Sequence, residues 1–301
     1  MIMFLITLAF SGDLLKHEFS LGGDELARPV DLWVHKESFW ILDQQLFEVI
    51  QFDRQNRIIS RFGQEGQGPG ELNNPSAIFV NDDFVYIYDF GKLHKFDHAG
   101  QFIDQQNLKP ATLAHFSESG MLAMHTPFGK DLFSVFDLKG QRLRSYGNGM
   151  DNRVIINNAH KFIYVHLLHG NELFWLLKSG GDISKLNLDQ PEETAKTLTT
   201  TTAWDLYRKK NSFSQTEENT FQLTGLPVNS LFKYNRYVCL LLDDETSDDR
   251  FILVLNEIGK QIKRAKTEKP YSLGIARGEH VFLFDLYDAV IDAYTVNVEW
   301  N

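Results

Sequence analysis

The sequence predicts an all-β chain, a six-bladed β-propeller of four-stranded antiparallel blades whose ring is closed by the N-terminal strand. Three observations carry that expectation. A pair of short apolar strands recurs six times. A second hairpin, marked by a turn that opens on Asp or Asn, recurs beside most copies. The last copy is one strand short, and an N-terminal run can supply it. Four strands per unit at a period of ~35–46 residues is the signature of a propeller blade.

The strand pairs align on proline. Pro29 leads through Val30–Val34 to Phe39–Asp43, and Pro75 through Ser76–Val80 to Phe84–Asp89. Pro110 leads to Met121–His125, Pro227 to Tyr237–Asp243, and Pro270 to His280–Asp285. From proline to the closing Asp or His is 14, 14, 15, 16 and 15 residues. A sixth copy without proline pairs Arg153–Ile156 with Phe162–His166. These runs are β-branched and aromatic, and nearly continuous rather than alternating, so both faces are expected to be buried. The second hairpin turns at Asp53–Asn56, Asp97–Gly100, Asp137–Gly140 and Asn256–Gly259. The opening side chain can accept backbone N–H bonds, and Gly or Asn three residues later tolerates positive φ.

Asp137 and Asn256 stand 119 residues apart, where two steps of ~40 are expected. The surplus falls in Glu192–Leu223, rich in Thr, Lys, Glu, Asn and Ser. It reads as a surface insertion without strand pairs, so six blades are preferred to seven. Leu14–Leu21 precedes the first full unit and is assigned as the strand that ties the termini together. Met1–Phe10 is apolar, and Ala9-Phe10-Ser11 looks like a small-x-small cleavage site, although a basic n-region is missing. Residues 1–11 are therefore read as the remnant of a signal peptide, and residues 12–301 as one domain. The expected location is periplasmic or secreted, with the cytoplasm as the alternative.

Composition narrows the function. A net charge of −10 over 301 residues argues against nucleic acid and against anionic membrane surfaces, since both require a basic face. No apolar stretch reaches the ~20 residues of a transmembrane helix. The one cysteine, Cys239, lies in an apolar run and is expected to be a buried core residue. Gly63–Gly70 lacks the helix and Lys-Ser/Thr pair of a phosphate loop and reads as a connection between blades.

The series Arg61-Phe62-Gly63-Gln64-Glu65-Gly66-Gln67-Gly68-Pro69-Gly70-Glu71-Leu72, then Asn74-Pro75, Tyr86-Ile87-Tyr88-Asp89 and Lys95-Phe96-Asp97, resembles bacterial six-bladed propellers related to NHL repeats. The likeness is good over Arg28–Asp104, recognisable to Tyr146, weak from Asn148 to Leu226, and returns at Pro227. It implies the fold and an exported location. It implies no single activity, because such propellers include binding proteins, lyases and lactonases.

Rotational repetition places Asp43, Asp89, His125, His166, Asp243 and Asp285 in a ring near one face. Arg28, Lys109, Arg153 and Lys269 precede inner strands and belong to the same face. These ten residues are the expected ligand site, favouring an anionic or carboxylate-bearing ligand. The competing expectation is that each carboxylate holds its own turn. The preferred reading is a non-enzymatic monomer that binds a peptide, glycan or protein partner at that face, with no catalytic residue, metal or cofactor assigned. The alternative is a metal-assisted lyase or lactonase built on His125, His166 and nearby Asp side chains.

One outcome checks the insertion directly. Limited proteolysis should cut first within Glu192–Leu223; cutting first inside the strand pairs contradicts it.

Overall fold

The computed structural model describes residues 14–126, 131–146, 163–169, 172–177, 183–188, 196–197, 214–215, 221–222, 228–243, 249–257, 259 and 261–296. The described chain opens with β1 (Leu15–Gly22). Blade 1 follows as β2 (Pro29–His35), β3 (Ser38–Asp43), β4 (Glu48–Phe52) and β5 (Ile58–Phe62). Blade 2 holds β6 (Pro75–Val80), β7 (Val85–Asp89), β8 (Lys92–Phe96) and β9 (Phe102–Asn107). Blade 3 holds β10 (Leu113–Phe116), β11 (Leu122–His125), β12 (Phe133–Phe136) and β13 (Arg142–Tyr146). Blade 4 holds β14 (Ile163–His169), β15 (Glu172–Leu177), β16 (Ile183–Asn187) and β17 (Lys196–Thr197). A small hairpin, β18 (Ser214–Gln215) with β19 (Phe221–Gln222), comes next. Blade 5 holds β20 (Val228–Tyr234), β21 (Tyr237–Asp243), β22 (Arg250–Leu255) and β23 (Gln261–Lys266). Blade 6 holds β24 (Leu273–Arg277), β25 (His280–Asp285), β26 (Val290–Val296) and then β1.

The innermost strands meet in sequence around the axis. β2 packs on β6, β6 on β10, β10 on β14, β14 on β20, β20 on β24, and β24 returns to β2. The cores lie between blades rather than within them. Leu32 and Ile41 of blade 1 pack with Phe282 and Phe284 of blade 6, and Val228 and Leu240 of blade 5 pack with Phe174 and Leu176 of blade 4. The second strands are therefore buried on both faces, as their continuous apolar runs require. Cys239 is buried in the cluster between blades 5 and 6. Burial pushes its thiol up to about 12, so it stays protonated and inert.

The predicted turn chemistry is present. Asp53 Oδ1 accepts the N–H groups of Gln55 and Arg57, Asp97 Oδ1 those of Ala99 and Gln101, and Asp137 Oδ1 those of Lys139 and Gln141. Asn56, Gly100, Gly140 and Gly259 all have positive φ. At Gly100 a Cβ would also fall 2.3 Å from Cβ of Phe62 in blade 1, so this turn can press against its neighbour only as glycine.

The outer strands of blades 1, 2, 3 and 5 each carry a bulge opposite the last residue of the third strand. The bulged residues are Ile59, Ile103, Leu143 and Ile262, all turned to solvent. A bulge bends the edge away from flat pairing, which protects an outermost strand from adding another chain.

Closure is as expected from the sequence. β1 pairs antiparallel with β26, from Leu15 opposite Val296 to Gly22 opposite Val290. A polar network locks it. Buried Asp292 accepts Ser20 Oγ at 2.5 Å, Lys269 Nζ at 2.8 Å and the Tyr271 hydroxyl at 2.6 Å, and Tyr271 and Tyr294 share a hydroxyl contact at 2.6 Å.

Two expectations change in blade 4 and beyond. The strand pair described in blade 4 is β14 with β15, so Ile163–His166 belongs to the innermost strand rather than the second, and Arg153–Ile156 lies outside the described residues. Two adjacent apolar runs without a proline to mark the start left the register open. Glu192–Leu223 also holds strand pairing, since Lys196–Thr197 completes blade 4 and β18 pairs with β19. The rest of that segment, with Trp204, Leu206 and Tyr207, lies outside the described residues, as do residues 1–11.

Deleting residues 14–22 should cost at least the burial of Leu14 and Leu21, roughly 3–6 kcal/mol at 1.5–3 per leucine, measured by urea unfolding. An unchanged midpoint contradicts this closure.

Candidate binding faces at the two ends of the axis

The inner strands begin at one face, the upper, and end at the other, the lower. The turns between second and third strands join the upper face: the Gln44 amide donates to the Arg28 carbonyl at 2.9 Å, and Leu108 N–H to Gly91 O at 2.6 Å.

Asp43, Asp89, His125 and Asp285 close the second strands of blades 1, 2, 3 and 6, and all four are buried. Their acceptors point into the fold. Asp43 Oδ2 takes the amides of Ala27 and Arg28 at 2.8 Å, and Oδ1 those of Gln45 and Leu46 at 3.0 Å. One carboxylate thus ties the blade's first strand to its own turn. Asp89 repeats the first half with Asn73 and Asn74 at 2.9 and 2.6 Å. Asp285 repeats the second with Tyr287 and Asp288. In blade 3 the link is made by His125 Nδ1 and Thr112 Oγ1, 2.9 Å apart. Burial works to raise the Asp89 carboxyl, but nearby His94 and the two amides outweigh it and hold it below the usual range.

The other ring members stand elsewhere. Asp243 lies one residue past the equivalent position, which Leu242 holds opposite Val228. It pairs with Arg250 at 2.5 Å and accepts from Asn229 at 2.7 Å. His166 lies inside β14 rather than at a second-strand end. Arg153 lies outside the described residues. Lys269 is engaged by Asp292 in the closure network. Arg28 and Lys109 are exposed and their side chains have no partner among the described residues.

Two aromatics on the same turns escaped sequence reasoning. Tyr287, between β25 and β26, is 94% exposed, and Phe90, between β7 and β8, is 54% exposed. Phe90 has φ +35°, a region costly for an aromatic residue. The relevant signal was an aromatic directly after the turn-holding Asp89, and one two residues after Asp285.

Along the axis, Asp31 of β2 is 4% exposed. It accepts Leu32 N–H at 2.8 Å and Ile78 N–H of blade 2 at 2.9 Å. Ser230 makes the corresponding link from blade 5 to blade 6, donating to Gly274 O at 2.7 Å. Below Asp31, Trp33 packs edge-on to Phe79, ring centroids 4.8 Å apart. Arg277 at the end of β24 sits 4.5 Å from the Trp33 centroid. Between blades 4 and 5 a lower cleft of about 240 Å³ is lined by Glu172, Phe174, Lys185, Lys233, Arg236, Val238 and Glu257. Glu172 holds both lysines there, Lys233 at 2.9 Å.

Residues 25–166 match a family model described as a 6-bladed beta-propeller. That span takes in blades 1 to 3 and the start of blade 4, where the sequence likeness is most regular. No curated protein matches the sequence. Among solved structures, a Bacteroides fragilis NCTC 9343 protein described as exported superposes with TM-score 0.61 at 11% identity, over 95% of this chain and 96% of that one. Hydrazine synthase of Kuenenia stuttgartiensis gives 0.55 at 9% identity, over 92% and 98%. Virginiamycin B lyase of Staphylococcus aureus gives 0.53 at 9%, over 94% and 99%. At such identities the likeness is one of fold.

Burial drives the Asp31 carboxyl up to about 6 from 3.8, against the opposing pull of Arg277 and the two amides. Its folded value exceeds its unfolded value, so stability from this group is present below pH ~4 and is lost as pH rises to ~6. Between pH 3 and 8 the unfolding free energy of wild type relative to Asp31→Asn should fall by about 3 kcal/mol. A pH-independent difference contradicts the assignment.

Proposed function

We propose that this propeller is a non-enzymatic binding module whose upper face takes a carboxylate-bearing peptide or protein segment. The observation that carries the reading is the pair of solvent-facing aromatics, Tyr287 and Phe90, on turns of blades 6 and 2, with Arg28 leading into blade 1 between them. Aromatic side chains and arginine supply most of the energy in protein recognition, at little entropic cost for the aromatics. Phe90 is held in a strained turn where glycine would be easier, and such strain collects at functional positions. Lys109, ahead of blade 3, extends the cationic arc. On a chain of net charge −10, these cations, without a partner among the described residues, favour an anionic partner locally.

The ring carboxylates support this face from below: Asp285 holds the turn that carries Tyr287, and Asp89 holds the entry to the first strand of the blade that carries Phe90. Asp89 and Asp285 immediately precede those turns. An exported location goes with the proposal, on the apolar run Met1–Phe10. The lyase or lactonase alternative depends on His125 and His166, and the imidazole of His125 is buried against Thr112 and Phe133.

A peptide array probed with the purified chain tests the reading. Bound peptides should be rich in Asp and Glu, and Arg28→Gln with Lys109→Gln should weaken binding at least tenfold. Phe90→Gly should weaken it too, while leaving stability unchanged or raising it by up to about 1 kcal/mol. Undiminished binding by both variants overturns the proposal.

A further inference from the structure

Arg277 ends the innermost strand of blade 6 and is 7% exposed. Its Nη1 donates to the Ala276 carbonyl at 3.2 Å. Nε and Nη2 are buried with no acceptor among the described residues. These two nitrogens form one edge of the planar guanidinium, and their N–H bonds run side by side. That edge is the fork that engages both oxygens of a carboxylate.

Among the described residues no carboxylate engages this edge. Asp31 and Glu118 both act on Arg277 electrostatically. Asp31 accepts the amides of Leu32 and Ile78, one on each oxygen, and Glu118 pairs with His169 at 3.0 Å. Neither forms an ion pair with Arg277 among the described residues. β24 is the innermost strand of blade 6, which places the guanidinium beside Trp33 of blade 1 near the axis. Beneath lies an aromatic floor drawn from three consecutive blades: Trp33, then Phe79 at 4.8 Å, then Phe116 at 5.7 Å from Phe79. The next residue, Gly278, has open space where a Cβ would stand, which leaves this turn room to give. A buried charge with unmade hydrogen bonds is costly, and native folds seldom retain one without a partner.

We propose that the Nε–Nη2 edge of Arg277 is an anion site at the lower end of the axis, taking a carboxylate whose attached apolar group lies against Trp33. The site is separate from the upper face and does not depend on the reading of that face. The carboxylate comes either from a small organic acid or from the C-terminus of a polypeptide, and the two can be told apart.

The probes are benzoate with benzamide as control, and glycyl-glycyl-phenylalanine with its C-terminal amide as control. Binding is read by calorimetry and by the thermal midpoint at constant ionic strength. At least one carboxylate should bind and raise the midpoint, and its amide should not. Response to benzoate alone assigns a small acid, and response to the tripeptide alone or more strongly assigns a chain terminus. Arg277→Gln should abolish the response, and Arg277→Lys, which keeps the charge and loses the fork, should weaken the affinity at least tenfold. No response of the wild type to either carboxylate overturns the proposal, as does an equal response in Arg277→Gln. Should Arg277→Gln fail to fold, undiminished affinity in Arg277→Lys is the overturning result.

Discussion

Each blade has two apolar faces and can cover neither alone. Leu32 and Ile41 need Phe282 and Phe284 of the blade behind, and Trp40, Leu42 and Val49 sit in the cluster shared with the blade ahead. Every other feature follows from this mutual covering. A linear stack would leave two faces bare, so the chain must return on itself, and the return is made by β1 against β26. The hydrophobic effect sets the requirement, and hydrogen bonding supplies the register. Asp292 contributes the specificity at the seam, since its partners Ser20, Lys269 and Tyr271 come from both ends of the chain.

The same constraint explains where charge is tolerated. Where a buried carboxylate occurs in blades 1, 2 and 6, it accepts backbone N–H groups that would otherwise be stranded at a turn. Asp31 does this between blades rather than within one, and Ser230 does the equivalent on the other side of the ring. Polar side chains thus stitch the inner strands where the twist of the sheets pulls backbone groups out of register. The ends of the axis are where turns can vary while the strands hold them in place. Tyr287 and Phe90 occupy that position at one end, and Arg277 at the other.

Much of this was legible in the sequence because the chemistry is local. The turn at Asp97–Gly100 needs an acceptor at its first residue and positive φ at its fourth, and both are visible as residue types. The ends of the second strands at Asp43 and Asp89 were legible for the same reason. Blade 4 was not, because Ile163–His169 and Glu172–Leu177 are adjacent apolar runs with no proline to say which is inner. Asp243 was misplaced by one residue, since the register is set by the bulge between Val228 and Ser230, which no single residue announces. Arg277 was invisible for a different reason. Its significance depends on Trp33 and Asp31, which lie at the other end of the chain and become neighbours only when the ring closes.

Native-state hydrogen exchange tests the mutual-covering account most directly. If no blade is stable without both neighbours, the slowest amides of β3, β7, β21 and β25 share one opening free energy, equal to that of global unfolding, with the same denaturant dependence. A distinctly lower opening free energy for β25, with blades 1 and 2 still protected, would show that blade 6 opens alone and that the seam is not what the ring depends on.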